Sequence, residues 1–159
     1  MMPTPYAEHV GDRDPVDVLR ASLDEYDRLI AKLTPALWAQ PWAPGKWTAA
    51  QIMLHVAQWE MIMGVRVRSG LTVPNFVVTP LTPDDVNALE APVVSGPTAY
   101  AAFAAVRRMN LALAASLSTA QRHIRIRHQQ RGDIDIQDLI VTLAGHGVHH
   151  LRQLMVIVD

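Results

Sequence analysis

The stretch DIQDLIVTLAGHGVHHLRQLMVIV, residues 135–158, decides the fold. Its apolar residues recur at three- and four-residue spacing, the period of an amphipathic helix. Asp135, with Asp138 three residues on, supplies the cap that starts one, and the pattern predicts a helix to about Val158. With Ile136 as reference and about 100° per residue, Leu143, Gly147, Leu151 and Leu154 fall within about 60° of one direction, the core side. His150 falls at about −40° and His146 at about −80°, side by side on successive turns, whereas His149 at about −140° points away. One inward face therefore carries an i,i+4 pair of imidazoles, the way a helix presents two nitrogens to one metal ion.

Upstream, the same period recurs. Asp14-Pro15 suits a helix start, Asp as cap and Pro at the first position. Val18, Leu19, Leu23, Tyr26, Leu29, Ile30 and Leu33 follow on one face, and Thr34-Pro35 ends the helix. The loop LTPALWAQPWAPGKW carries three tryptophans, too apolar to dangle, so it is expected to fold back over the core. Thr48 with Gln51 reads as a capping box opening a second helix to about Arg68, with Gly70 as its stop. Ile52, Val56, Trp59 and Met63 form one stripe on it, and Leu54, Ala57, Met61 and Val65 a second on the far side. A helix apolar on two faces is either deeply buried or shared with another subunit; in so short a chain a homodimer is the favoured expectation.

Residues 70–95 read as a long connection in which Thr82-Pro83-Asp84-Asp85 can nucleate one or two helical turns. An alanine-rich helix follows from about Pro97 to Ser118. RHIRIRH at 122–128 alternates with period two and reads as extended chain or a short ribbon. Residues 1–13 read as an irregular lead-in. Four amphipathic helices without a strong strand pattern predict an all-α fold, an up-and-down antiparallel four-helix bundle with a long connection between helices two and three, as one domain over 1–159.

The chain has 159 residues, no cysteine, seven histidines, and 14 basic against 15 acidic side chains. Without cysteine there are no disulfides, thiolate metal ligands or cysteine nucleophiles. A net charge of −1 argues against a nucleic-acid partner. MMPTPYAEHV has neither a basic n-region nor an apolar h-region, and no apolar run approaches a membrane span. The expectation is a cytoplasmic protein with no membrane partner.

His9, His123 and His128 lie in expected loops or extended segments and read as polar surface residues. On the second helix His55 lies at about −60° from Ile52 and leans inward. Each inward histidine alone can be a hydrogen-bonded core residue. Three together favour a metal, because unpaired imidazoles are costly to bury. Gln153, at about −100° on the last helix, can support the ligands from behind or be a solvated edge residue. Gly145 and Gly147 flank His146 at a cost to the helix, so they mark either close packing or room for a ligand. Three neutral nitrogens suit zinc, nickel, copper or iron(II) rather than magnesium or calcium. They leave a position open for water or substrate. The Glu-x-x-His spacing of di-iron bundles and the His-Glu-x-x-His motif are both absent.

WAPGKWTAAQIMLHVAQWE (42–60) and HGVHHLRQL (146–154) resemble the two motifs of the DinB-like, damage-inducible family: a Pro-Gly-Lys-Trp-Thr loop before a helix bearing one histidine, and a closing histidine, histidine, glutamine pattern. The resemblance implies a four-helix bundle, frequent homodimers, and a divalent metal, commonly zinc or nickel, on His55, His146 and His150. Relatives include thiol S-transferases and a mycothiol-dependent maleylpyruvate isomerase. The resemblance thus implies a metal-dependent thiol S-transferase or hydrolase acting through a metal-bound thiol or water, with a low-molecular-weight thiol and a small electrophile as partners. The alternative is a non-catalytic metal-binding dimeric bundle of a stress or damage response. What separates the two is whether the open position faces a cleft, which the 70–95 connection can line or cover. No general base stands out. Glu60, at about 80° on its wheel, reads as a surface or bundle-edge carboxylate. Arg66 shares the side of His55 and reads as a helix-terminal charge facing the dipole or as a partner for an anionic substrate.

Overall fold

The computed structural model describes residues 3–159; Met1 and Met2, the start of the expected lead-in, lie outside the described residues. Helix α1 spans Pro15–Ile30, and Asp14 accepts from the Val16 amide at 2.8 Å as its cap. A short helix α2, Pro35–Trp38, opens the tryptophan loop. That loop folds back as expected: Trp42 donates its amide to the Trp47 carbonyl, and Trp38, Trp42 and Trp47 pack partly buried on the core.

Helix α3 spans Ala49–Thr72 behind the Thr48–Gln51 capping box. It runs through Gly70 rather than stopping there. A Cβ on Gly70 would stand 2.6 Å from Ile136 Cδ1, so this glycine admits a neighbouring side chain instead of ending the helix. The connection then forms strand β1, Val77–Val78, and helix α4, Pro83–Glu90. Helix α5 spans Gly96–Ser116, capped by Ser95, and a short α6, Thr119–Arg122, follows it. Of the alternating RHIRIRH segment, Arg125–His128 forms strand β2, antiparallel to β3 at Gly132–Asp135 with Ile126 opposite Ile134. Strand β1 adds to β2 in parallel, a pairing between distant segments that the sequence pattern does not announce. Helix α7 spans Ile136–Val158, with Asp135 and Asp138 capping reciprocally. The lead-in contains one turn of 3₁₀ helix at Ala7–His9.

The expected all-α four-helix bundle forms from α1, α3, α5 and α7, and its directions refine the expected alternation. Helices α1 and α7 run together: Val16 and Leu19 share one apolar cluster with Leu139 and Leu143, while Leu29 shares another with Leu154 and Ile157. Helices α3 and α5 also run together, Ile52 clustering with Phe103 and Val67 with Ala114. Gly70, near the end of α3, meets Ile136 at the start of α7, so the two pairs are antiparallel. The order is up, down, down, up, and across the two pairs α1 packs on α5 and α7 on α3. The reason lies in the second connection. Helix α3 has 24 residues, about 36 Å of rise, and the chain from Val73 to Ser95 is long enough to return along that length before α5 begins.

Along all four helices the two apolar clusters are interrupted at one level. Ser22 on α1, Gln58 and Glu60 on α3, Arg107 and Asn110 on α5, and His146 on α7 are all buried there. The second stripe of α3 divides: Leu54 and Ala57 are buried within the chain, whereas Met61 and Val65 are 42% and 61% exposed. No helix among the described residues is long and apolar enough to cross a membrane.

Candidate metal centre

His55 enters the polar layer from the second turn of α3, and His146 and His150 from successive turns of α7. All three are buried, at 3%, 2% and 5% exposure. Each offers a ring nitrogen, and these atoms lie within 4.8 Å of one another. His55 Nε2 and His146 Nε2 stand 2.9 Å apart. The three rings meet nearly edge to face, with centroids 4.5 to 4.9 Å apart. His149 turns away, as its direction predicts, and packs beside Tyr6 and His9 on the outer side.

Burial is the first cause of the electrostatics. It holds His55 down to about 4, with His149 adding to it, and His150 to about 3, with His55 and His149 adding and the Gln153 hydrogen bond opposing. His146 lies well below its ordinary value, from burial and then from His150, His55 and Arg107. The triad is therefore neutral near pH 7, the form in which imidazole offers a lone pair. Gln153 Oε1 accepts from His150 Nδ1 at 2.8 Å, which leaves the lone pair on Nε2. That Nε2 is buried and has no partner, and neither has His55 Nδ1. Nitrogens bound to one zinc at about 2.0–2.1 Å each sit roughly 3 Å apart, so these residues fit a divalent ion after small side-chain adjustments. Gln153 stands half-buried behind His150.

The two glycines beside His146 mark close packing. A Cβ on Gly145 would collide with the Tyr6 carbonyl, and one on Gly147 would stand 3.0 Å from Arg107 Nη2. Arg107 lies at the centre of the bundle. It donates to Glu60 Oε2 through Nε at 2.8 Å and Nη2 at 2.7 Å, and through Nη1 to Ser22 Oγ and the Leu19 carbonyl. Asn110 Nδ2 donates to Glu60 Oε1 at 2.9 Å. Glu60 is thus wholly buried, which corrects its reading as a surface or edge carboxylate. A wheel refers to one core direction, whereas α3 is enclosed by α5 on the side where Glu60 projects.

A cleft of about 230 Å³ reaches two of the three histidines. His55 and His146 form part of its wall, with Tyr6, Trp59, Met63 and Leu139; Pro80, Leu81 and Pro83 come from the long connection. Arg66, His128 and Arg131 line it as well. Arg66 lies well inside α3, so it is no helix-terminal charge, and its Nη2 donates to the Thr79 carbonyl at 2.7 Å. His128 lines this wall as well, instead of standing free on the surface.

A family model described as the DinB superfamily matches residues 19–154. The chain belongs to the DinB superfamily. Among solved structures, YfiT from Bacillus subtilis, described as a probable metal-dependent hydrolase with an unusual four-helix bundle topology, superposes with a TM-score of 0.81 at 18% identity, covering 90% of this chain and 83% of YfiT. A mycothiol-dependent maleylpyruvate isomerase superposes with a TM-score of 0.70 at 15% identity, covering 96% of this chain and 63% of the isomerase. At these identities both show the fold. No curated protein matches the sequence.

In this DinB-superfamily chain, sequence reasoning brought together the three histidines and missed part of the wall around them. Tyr6 lay in an apparently irregular lead-in. The signal for its packing was Gly145, a residue without a side chain beside an inward histidine. For Arg131 at the cleft there was no signal, since its place follows from the β2–β3 turn.

Proposed function

We propose that the protein is a metal-dependent enzyme, a thiol S-transferase or hydrolase, whose zinc or nickel ion is held by His55, His146 and His150. The observation that carries this reading is the cleft: His55 and His146, two of the three histidines, form part of an open wall instead of being sealed within the bundle. A divalent ion there supplies Lewis acidity, making a bound water or low-molecular-weight thiol more acidic. The chain's own residues do the rest. Gln153 holds the His150 proton on Nδ1, Trp59 stacks near His146 at 6.0 Å between centroids, and Met63 and Leu139 keep the inner wall apolar. Glu60 is unavailable as a base because Arg107 and Asn110 occupy both its oxygens, and among the described residues no carboxylate lines the cleft. The likeness to YfiT, itself described as metal-dependent, supports the reading.

The test is metal content by plasma mass spectrometry in wild type, His146→Ala and His150→Ala, followed by turnover with small thiols and electrophiles and with simple esters. About one ion per chain, lost in both variants, and turnover that follows the metal are expected. Equal metal in all three proteins overturns the assignment. Metal without turnover on any substrate class favours the non-catalytic bundle. A homodimer through the exposed Met61 and Val65 belongs to the same proposal, and a monomeric mass in light scattering removes it.

A further inference from the structure

Among the described residues four arginines pair with a carboxylate: Arg107 with Glu60, Arg20 with Asp17, Arg108 with Asp27 and Arg122 with Asp14. Of the others outside the cleft, Arg13, Arg28, Arg125, Arg127 and Arg152 are exposed to solvent, and Arg68 donates to the Gly64 carbonyl and Asn110 Oδ1. The cleft arginines differ. Neither Arg66 nor Arg131 has a carboxylate within 4.0 Å among the described residues, and none of the fifteen cleft-lining residues is Asp or Glu. Arg131 Nε is buried without a partner, and its Nη2 reaches only Thr4 Oγ1 at 3.4 Å. Arg66 spends Nη2 on a backbone carbonyl and Nη1 on Met63 Sδ at 3.5 Å. His128 lies among them: burial, then the charges of Arg131 and Arg66, push its imidazole below the ordinary value. Its Nδ1 accepts from the amides of Gln130 and Arg131, so its ring proton sits on Nε2 as a further donor.

Two half-buried guanidinium groups share the cleft with no anion between them, beside a neutral imidazole that can donate, and an anion bound there pairs with all three. Tyr6, Trp59, Met63, Leu81 and Leu139 make much of the remaining wall apolar or aromatic, with Gln130 and Thr142 as further polar members. The volume of about 230 Å³ lies below the roughly 300–1,000 Å³ of drug-sized ligand sites. We propose that the cleft binds a small organic carboxylate, its head held by Arg66, Arg131 and His128 and its apolar body lying along Trp59 and Met63 toward the triad. This names the substrate class of the enzyme proposed above and rests on that reading for the role of the histidines.

Calorimetric titration with benzoate and with neutral benzamide tests it, in a carboxylate-free buffer, on the protein as purified and after chelator stripping, with metal content measured on each. Benzoate is expected to bind roughly tenfold tighter than benzamide, before and after stripping. Arg131→Gln is expected to remove most of that preference while leaving benzamide binding and metal content unchanged. Equal affinities, no binding of either compound, or a preference that vanishes with the metal overturns the proposal, the last because it would place the carboxylate on the ion. The wild-type comparison decides the matter even where Arg131→Gln fails to fold. Metal present without a benzoate preference sinks this proposal alone, whereas the preference without metal sinks the metal-enzyme reading alone.

Discussion

Two polar clusters lie buried at the middle of this bundle, adjacent through the His146–Gly147 step, and they are built on opposite terms. In the Arg107 cluster every strong donor and acceptor meets another side chain or carbonyl of the chain: Arg107 with Glu60, Ser22 and Leu19, and Asn110 with Glu60. In the histidine cluster, His55 Nδ1 and His150 Nε2 meet nothing. Burying an unpaired polar nitrogen costs free energy that folding alone does not return. The first cluster is complete as folded and ties α1, α3 and α5 together beside α7. The second is complete only with something from outside, and it is also the one that a cleft reaches. Burial alone does not separate structure from function here; the state of the last lone pair does.

The largest expected effect breaks the first cluster. Arg107→Met leaves the Glu60 carboxylate buried and uncompensated, and removing one partner of a buried pair costs about 3–5 kcal/mol. Chemical denaturation of the metal-free protein measures it. The double variant Glu60→Leu/Arg107→Met is expected to recover much of that loss, since apolar residues of similar volume can replace a buried pair. The contrast between the clusters fails if Arg107→Met leaves stability unchanged and instead abolishes metal binding.

A smaller effect probes the second cluster through pH. In the unfolded chain imidazole titrates near 6.5, whereas the fold holds His55 down to about 4 and His150 to about 3. Above pH about 7 both states are neutral and these residues impose no pH dependence. Below 6.5 the unfolded chain takes up protons that the fold refuses, so metal-free stability falls with pH, approaching about 1.4 kcal/mol per unit for each histidine until its folded value is reached. His150→Leu should flatten that slope. Parallel slopes in variant and wild type would show that His150 is protonated as readily inside the fold as outside it.

The two clusters were unequally legible in the sequence for a physical reason. Helix starts depend on neighbours a few residues apart, so Asp14-Pro15, Thr48 with Gln51, and Asp135 with Asp138 all cap where their local chemistry says they should. The triad was legible because the inward direction of one residue on one helix is a local property. Glu60 and Arg107 were not, because their pairing joins residues 47 positions apart on helices whose relative rotation no single wheel contains. The parallel course of α3 and α5 was hidden likewise, since it depends on how the 73–95 connection travels. Residues of the lead-in and of the β2–β3 turn reach the cleft only through such long-range placement, so Tyr6 and Arg131 had no local pattern to betray them.

The smallest expected effect lies at the seam between the self-sufficient and the open cluster, at Gln153. Its Oε1 gives the second cluster one internally satisfied bond, to His150 Nδ1, while its Nε2 stands 3.4 Å from His149 Nε2. Partners behind a metal ligand are worth about 10–100-fold in metal affinity. Gln153 is half-buried, so water can take over part of its role, and Gln153→Ala is expected at the lower end, about tenfold in zinc affinity by competition titration. Metal-free stability should fall by only about 1 kcal/mol, the net worth of one hydrogen bond. Gln153→Glu keeps an acceptor at that position and should bind zinc at least as tightly as wild type, because a carboxylate holds the same proton on Nδ1 more strongly. If Ala and Glu variants weaken zinc equally, Gln153 acts through packing rather than through the His150 proton, and the triad is left with no internal support from this side chain.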